Sequence, residues 1–194
     1  MLRYKILRIS ALLFIACGLV SMVPIGLIWL SQHSTSHLVS ASAIRKANLT
    51  PAAITGHPVA LDIPSLNIHL AVIDGYYNSS NGQWTLTPNK AQFALPSTPP
   101  NDQSGNTLIY GHYRAEVFAS LHQIAVGSVV EITTDNGYKF YYTYTGTEAL
   151  DPTDTSIFQY VGKPRLTIQT CSGNYFQNRQ MYYFNFTAVR KIAT

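Results

Sequence analysis

Charged residues are scarce in this 194-residue chain, because Asp, Glu, Lys and Arg together make up only 11% of it. The formal net charge is +4, and three of the positive charges, Arg3, Lys5 and Arg8, lie in the first eight residues. No cluster of Lys and Arg elsewhere is large enough to contact a phosphate backbone. The sequence therefore predicts no nucleic-acid partner.

No charged residue occurs from Ile9 to Leu30. About 22 residues of helix span about 33 Å, which is enough to cross a bilayer. The basic residues precede this run, so the N-terminus is expected in the cytoplasm and the rest of the chain outside the membrane. A cleaved signal peptide is the alternative, but this run is longer than the usual apolar core of such a peptide. We predict a single-pass anchor in the cell membrane at residues 9–30, after a cytoplasmic segment at residues 1–8.

Cysteine is almost absent, with only Cys17 and Cys171 in the chain. Cys17 lies within the predicted membrane segment, so the two are not expected to pair. A single unpaired thiol in an extracytoplasmic domain is notable, because that compartment permits disulfides. Cys171 is therefore a candidate reactive residue, and a small buried apolar residue is the alternative.

The segment after the anchor lacks any sustained hydrophobic period. Residues 31–56 are rich in Ser, Thr, Ala and His, which is typical of a linker. His33 and His37 are spaced to share a helical face, but no further ligand lies near them, so we expect no metal site and no cofactor. Residues 57–194 then provide one domain of ordinary size.

Short runs with strand-like alternation dominate this domain, separated by turn residues. The clearest hairpin runs from Val129 to Thr145 around Asp135-Asn136-Gly137, a strong turn signal. Residues 76–106 look irregular, and residues 118–124 have the spacing of one or two helical turns. About eight strands with a minor helix indicate an all-β barrel or sandwich.

One strand of this domain ends near Cys171. Residues 166–170 alternate with period two, and a second strand begins at Arg179 after a loop of turn formers. If the two strands pair as a hairpin, the guanidinium of Arg179 lies close to the thiol, where it favours a thiolate.

A third polar residue ends another strand, because residues 105–110 are followed by Gly111 and His112. Histidine, cysteine and arginine form a coherent set for acyl transfer. The thiolate attacks, the histidine protonates the leaving amine, and the arginine or backbone N–H groups stabilise the oxyanion. No metal is needed for this chemistry.

His112 precedes Cys171 by 59 residues, which reverses the order found in papain-like enzymes. The chain resembles the sortases in the content and the order of several segments: PVALDIPSLNIHLAVIDG, GNTLIYGHY, VFASLHQIAVGSVVEI, ALDPTDTSIF and TIQTC with a following NRQ. The sortases are membrane-anchored cysteine transpeptidases of bacterial cell surfaces. Thr167 to Cys171 match the family's TLxTC motif, with Ile168 in place of leucine. Tyr110 stands where the family often has a small residue before Gly-His.

The resemblance implies an eight-stranded sortase β-barrel with one or two short helices. It places His112, Cys171 and Arg179 in the catalytic positions and Thr170 of the motif in contact with substrate. It also implies cleavage of an LPxTG-like sorting signal on surface proteins, without a cofactor. The product would then pass to an amine acceptor, from a peptidoglycan precursor or a pilin lysine.

Several alternatives stay open at this point. Arg165 and Arg190 are competing arginines, although Arg165 opens the cysteine strand and Arg190 lies near the C-terminus. A thiol hydrolase without transfer, or a membrane-tethered barrel that only binds, would carry much of the same pattern. Residues 95–99, LPSTP, resemble a sorting signal themselves, but they lie inside the domain and are expected to be a loop.

Overall fold

The computed structural model describes residues 52–80, 83–172 and 178–193, which form ten strands and three short 3₁₀ helices. The strands are β1 (Pro58–Ile63), β2 (Ile68–Gly75), β3 (Tyr77–Asn78), β4 (Gln83–Trp84), β5 (Ala91–Ala94), β6 (Asn106–Tyr110), β7 (Val129–Thr134), β8 (Tyr138–Leu150), β9 (Arg165–Ser172) and β10 (Asn178–Lys191). The 3₁₀ helices are Pro64–Leu66, Ala119–Gln123 and Ser156–Gln159.

The predicted cytoplasmic segment, the predicted anchor at residues 9–30 and most of the predicted linker lie outside the described residues. Within the described ranges, no helix has the length and apolar character that crossing a bilayer requires.

Eight of the strands close into a barrel in the order β1-β2-β5-β6-β9-β10-β8-β7. The pairs β2–β5 and β6–β9 are parallel, and the other six pairs, including the closing pair β1–β7, are antiparallel. Strands β3 and β4 form a separate two-stranded sheet. The predicted all-β, eight-stranded barrel is confirmed.

Successive side chains of a barrel strand point alternately into the barrel and out of it. In β2, Ile68, Leu70 and Val72 are buried, whereas His69 and Ala71 between them are exposed. The barrel interior is filled by apolar side chains of this kind, many of them with no exposed surface: Leu61, Ile63, Ile109, Ile132, Phe140, Leu166, Ile168 and Phe184. Each such side chain contributes roughly 1.5–3 kcal/mol relative to its exposed state.

The prediction that residues 76–106 are irregular is wrong, because β3, β4 and β5 lie there. All four residues of β5 are buried, so this strand has no exposed face, and four residues are too few for a clear alternating pattern. Strands β3 and β4 have two residues each, which is too short for any period to show. The helix count also differs, with three 3₁₀ helices in the described residues where one or two helices were expected.

Strand β8 extends to Leu150, beyond its predicted end at Thr145. Its last residues pair with the start of β10, where Leu150 is opposite Arg179 and Ala149 is opposite Gln180. This extension carries β8 through the first three residues of the sequence EALDPTD, residues 148–154.

The LPSTP segment, residues 95–99, belongs to the connection between β5 and β6. Ser97 is buried; its hydroxyl donates to the Ala94 carbonyl oxygen at 2.7 Å and accepts from the Leu108 backbone N–H at 3.0 Å. The segment is thus part of the fold, as the loop prediction required.

Parallel pairing of β6 and β9 brings their starts together at one pole of the barrel and their ends together at the other. The chain enters the barrel at the pole where β6 and β9 begin. There Thr55 pairs with Asn101, and the Gly56 N–H donates to the Pro100 carbonyl oxygen at 3.1 Å. Cys171 near the end of β9 therefore lies at the pole opposite to this entry.

Candidate active site

Three neighbouring strands, β6, β9 and β10, carry the candidate residues on the outer face of the barrel. In β9, Leu166 and Ile168 pack into the core, so by alternation Gln169 and Cys171 project outward. In β10, Tyr182 and Phe184 point into the core, and Arg179 and Met181 project outward by the same rule. The outer face therefore presents the thiol and the guanidinium together.

Cys171 and Arg179 are directly opposite one another in the antiparallel pair β9–β10. The thiol is half-buried, and Arg179 Nη1 donates to Cys171 Sγ at 3.9 Å. The predicted hairpin and the predicted closeness of these two side chains are confirmed. A cation beside a partly accessible sulfur stabilises negative charge that develops there.

His112 comes to the same pole through the parallel pair β6–β9. Tyr110 is opposite Gln169, and the ladder continues beyond β6, because the Gly111 N–H donates to the Gln169 carbonyl oxygen at 3.1 Å. His112 lies two residues past Tyr110 and Cys171 lies two residues past Gln169. The continued pairing therefore brings His112 to the level of Cys171, and its catalytic role stays a prediction.

Thr170 lies on the opposite side of β9 from Cys171 and is buried. Its hydroxyl donates to the Gly111 carbonyl oxygen at 3.1 Å, so it ties the cysteine strand to the segment that carries His112. The structure gives Thr170 this positioning contact, and its contact with substrate stays a prediction.

The residues after His112 fold back onto it. The backbone N–H groups of Arg114 and Phe118 both donate to the His112 carbonyl oxygen, at 3.0 and 3.3 Å. Phe118 is fully buried and packs against Gly111, where an added Cβ would lie 2.9 Å from both the Phe118 ring and a Val117 methyl. Gly111 is therefore required for close packing beneath His112.

Replacing Gly111 by alanine is expected to lower the free energy of unfolding by about 1–3 kcal/mol, because the buried Phe118 ring has to move. Urea denaturation measures this change. Gly146→Ala is the matched control, since no atom lies within 4 Å of the Cβ it adds. Equal stability of the two variants would contradict the packing account.

Two effects act on the imidazole of His112. Burial, and after it the positive charge of Arg114, lower the pKa of His112 below its ordinary value of 6.5. The neutral imidazole is therefore favoured near neutral pH, and the protonated form is a readier proton donor than a solvent-exposed imidazolium.

Substituting Arg114 by glutamine is expected to raise the pKa of His112 toward its ordinary value, because one of the two causes of the shift is removed. Burial remains, so the shift should not disappear. A titration of the His112 ring protons by NMR measures the effect, with Arg190→Gln as the control for loss of a distant positive charge. An unchanged or lower pKa in Arg114→Gln would contradict this assignment.

A groove on the outer face leads to Arg179. Its volume is about 90 Å³. Its lining combines apolar and aromatic side chains with a few polar ones: Trp84, Leu108, Tyr110, Pro152, Asp154, Thr155, Ile157, Phe158, Gln169, Arg179 and Met181. These residues come from β4, β6, β9, β10 and the connection between β8 and β9. The groove therefore lies across several elements and reaches the candidate site at Arg179.

The apolar part of the groove rests on a cluster separate from the barrel core. Ala94, Leu108, Tyr110 and Ile157 are buried in it, and Trp84, Phe158 and Tyr183 pack against them. The 3₁₀ helix Ser156–Gln159 contributes two of these side chains. This cluster supplies the apolar lining of the groove that reaches Arg179.

The competing arginines occupy other places. Arg165 lies at the start of β9; its Nε donates to Asn106 Oδ1 at 3.2 Å, and its guanidinium stacks 3.9 Å from the Tyr160 ring centroid. Arg190 lies 5.5 Å from the centroid of the Tyr141 ring, near the other end of β10. Both are used in contacts away from Cys171.

The other described histidines are on the surface. His69 Nδ1 is 2.8 Å from Asp62 Oδ1, His57 Nε2 is 2.6 Å from Asp74 Oδ1, and His122 Nδ1 contacts the Ala119 carbonyl oxygen at 2.6 Å. In the part of the chain that the structure describes, no three His, Cys, Asp or Glu side chains come together as a metal site. His33 and His37 lie outside that part.

Sequence patterns did not point to the groove. Trp84 lies in a two-residue strand, and Phe158 in a short 3₁₀ helix, so neither has a period that marks it as exposed or buried. The one local signal was Tyr110, a large residue at a position before Gly-His where a small one was expected.

One protein-family model matches most of this chain. The model described as Sortase domain matches residues 61–187 of this chain. Comparison with curated proteins gives no match.

Solved sortase structures are similar to this chain. Sortase A of Listeria monocytogenes has a TM-score of 0.57 at 21% identity, covering 71% of this chain and 92% of that one. Sortase C-3 of Streptococcus pneumoniae has a TM-score of 0.56 at 22% identity, covering 71% and 66%. Sortase E1 of Streptomyces coelicolor, with a tripeptide in its active site, has a TM-score of 0.52 at 18% identity, covering 71% and 91%. At these identities the structural likeness establishes the barrel fold.

Proposed function

The chain belongs to the sortase family, and on that premise we propose that it is a cysteine transpeptidase that cleaves an LPxTG-like sorting signal. The observation that carries the proposal is the contact of Arg179 Nη1 with the half-buried Sγ of Cys171 at 3.9 Å. His112 stands at the end of the neighbouring parallel strand. An imidazole at the same pole of the barrel as the thiol and the guanidinium supports the roles of proton carrier, nucleophile and cation for these three groups.

In the first step, Cys171 Sγ attacks the carbonyl carbon of the signal's threonine. His112 accepts the proton that the Cys171 thiol loses as its sulfur attacks. The tetrahedral intermediate collapses as the C–N bond to the next residue breaks, and His112 gives that proton to the leaving amine. The acyl group is then held on Cys171 as a thioester, and the C-terminal tail of the substrate departs.

In the second step, an incoming amine attacks the thioester carbonyl. The C–S bond breaks, the new amide forms, and the proton lost by the amine nitrogen passes to His112. The depressed pKa of His112 suits both steps, since its imidazolium gives up a proton readily and its neutral form is available to accept one. Cys171 returns to its starting state.

Arg179 acts on the charge that develops in both steps. Its guanidinium lies beside the sulfur and within the lining of the groove. From there it can donate to the oxyanion or to a substrate carbonyl, and donors placed in advance at such positions are worth about 10²- to 10³-fold in rate.

The groove supports an extended signal with an apolar residue upstream of the cleavage point. Strand residues rise about 3.3 Å each, so a side chain three residues before the attacked threonine lies about 10 Å from Cys171. Along β6, Tyr110 and Leu108 lie two and four residues before the level of Cys171, and both line the groove. The leucine of an LPxTG-like signal would reach this apolar part.

The family supports the acceptor proposed here, and the sequence supports the proposed location. We propose an amine of a peptidoglycan precursor or a pilin lysine as acceptor, and a cell-membrane location with residues 9–30 as the anchor and the barrel outside. Tethering to the same membrane as the substrates raises their effective concentration at the enzyme.

A peptide assay with the full-length chain in detergent micelles tests this function. Quenched LPxTG-type peptides are supplied with and without an oligoglycine or lysine amine, and mass spectrometry identifies the products. We expect an amide with the added amine. Products of water alone would indicate a thiol hydrolase, and no cleavage of any peptide by the folded protein would favour a binding barrel.

A further inference from the structure

Gln169 lines the groove two residues before Cys171, on the same outer face of β9. Its direct neighbours across the sheet are Tyr110 on β6 and Met181 on β10. Both of these residues also line the groove. Gln169 is therefore the middle residue of a row of three side chains that crosses the groove next to the thiol.

The side chain of Gln169 differs in its contacts from that of Gln180 on the neighbouring strand. Gln180 Nε2 donates to Thr147 Oγ1 at 2.5 Å. Gln169 is half-buried, and within residues 52–80, 83–172 and 178–193 its side-chain amide makes no hydrogen bond. Its main-chain carbonyl oxygen already accepts from the Gly111 N–H at 3.1 Å. The side-chain amide is thus available to a ligand in the groove.

A peptide that covers Gln169 removes water from this amide. A polar group that loses water and gains no partner weakens binding, and the apolar side chains of Met181 and Leu108 in the same lining offer no partner. The amide has an acceptor, Oε1, and a donor, Nε2. It is therefore complementary to a main-chain peptide group, which offers one N–H and one C=O.

The distance along β9 indicates which peptide group this is. Strand residues rise about 3.3 Å each, so Gln169 lies about 7 Å from the level of Cys171. In an extended signal whose threonine carbonyl is at Cys171, the peptide group at that distance joins the two residues before the threonine. In an LPxTG-like signal these are the proline and the variable residue. The peptide group before it has no N–H, because its nitrogen belongs to the proline.

We propose that Gln169 is a specificity-determining residue that reads the peptide group between the proline and the variable residue of the sorting signal. Nε2 donates to the proline carbonyl oxygen, and Oε1 accepts from the N–H of the variable residue. This inference rests on the proposed function for the identity of the ligand. Two hydrogen bonds to the main chain set the register of the signal against Cys171 and leave the variable side chain unselected.

The test uses the full-length chain in detergent micelles and two quenched peptides, one with this peptide group intact and one with an ester in its place. The ester keeps the shape of the peptide but lacks the N–H. Wild type, Gln169→Met and the control Gln180→Met are compared by kcat/KM. We expect the ester to cost wild type and Gln180→Met about tenfold, the effect of a lost hydrogen bond that leaves its partner unpaired.

Gln169→Met should lose about tenfold on the intact peptide and show little further loss on the ester, because the two changes remove the same interaction. Equal ester penalties in wild type and Gln169→Met would overturn the proposal, and so would an unchanged kcat/KM of Gln169→Met on the intact peptide. If Gln169→Met does not fold, Gln169→Leu decides by the same two criteria.

A binding measurement separates this proposal from the catalytic one. Labelled forms of the two peptides are titrated by fluorescence anisotropy onto Cys171→Ala protein with and without Gln169→Met. A preference in Kd for the intact peptide that depends on Gln169 supports the reading even if wild type cleaves neither peptide, in which case the transpeptidase proposal fails alone. Cleavage by wild type with a preference that is independent of Gln169 overturns only the reading. Binding of neither peptide, without cleavage, overturns both.

Discussion

Replacing Cys171 by serine is expected to lower kcat/KM for a cleaved sorting-signal peptide by about 10⁴-fold or more. Serine keeps the approximate size and position of the side chain, but its hydroxyl is far less acidic than a thiol, so His112, whose pKa is lowered, is too weak a base to activate it. Losses of this order follow the removal of a nucleophile in enzymes that work through an acyl intermediate. The rate of tail release from a quenched peptide measures the effect.

The serine variant should keep its fold, because the thiol is only half-buried and the bond that it accepts from Arg179 Nη1 is long, at 3.9 Å. An unchanged melting temperature is the control for that. Retention of more than a few per cent of the activity in a folded Cys171→Ser protein would show that another group carries the acyl transfer.

Replacing Arg179 by alanine is expected to lower kcat/KM by about 10²- to 10³-fold, the typical effect of removing one donor to a developing oxyanion. Arg179 is opposite Cys171 in the β9–β10 pair and lines the groove. Its loss therefore removes a positive charge both from beside the sulfur and from the groove. Steady-state kinetics on the quenched peptide measures the change.

Two further variants sharpen this prediction. Arg179→Lys keeps the charge but loses the planar fork of donors, so it should recover only part of the activity. Arg190→Ala is the matched control, because Arg190 lies on the same strand over the Tyr141 ring and away from Cys171. A larger loss in Arg190→Ala than in Arg179→Ala would contradict the assignment of Arg179.

The closeness of Cys171 and Arg179 was predictable from local sequence. Two strand-like runs joined by a short loop pair as an antiparallel hairpin, and that pairing places the last residues of one strand opposite the first of the next. The structure confirms this geometry in β9 and β10.

The place of His112 was not predictable in this way. The position of His112 at the level of Cys171 depends on the parallel pairing of β6 with β9. These two strands lie far apart in sequence and are not joined by a hairpin. Strand periodicity identifies each strand but not its partner, so the sequence grouped the two residues by their chemistry and by the family resemblance, and not by strand pairing.

Trp84 illustrates what sequence patterns miss. It lines the groove together with Tyr110 and the 3₁₀ helix Ser156–Gln159. The two-residue strand that carries Trp84 and this helix are both too short to show a hydrophobic period. Their contacts are set by tertiary packing. The predicted membrane anchor at residues 9–30 stays a prediction, since it lies outside the described residues.

The most direct test of the account is the intact mass of the full-length protein after brief mixing with an LPxTG-type peptide and no amine. The account predicts an added mass equal to the peptide up to its threonine, mapped to Cys171, removed by hydroxylamine and absent in Cys171→Ala. Cleavage of the peptide without any such adduct, or an adduct on another residue, would contradict a thioester at Cys171.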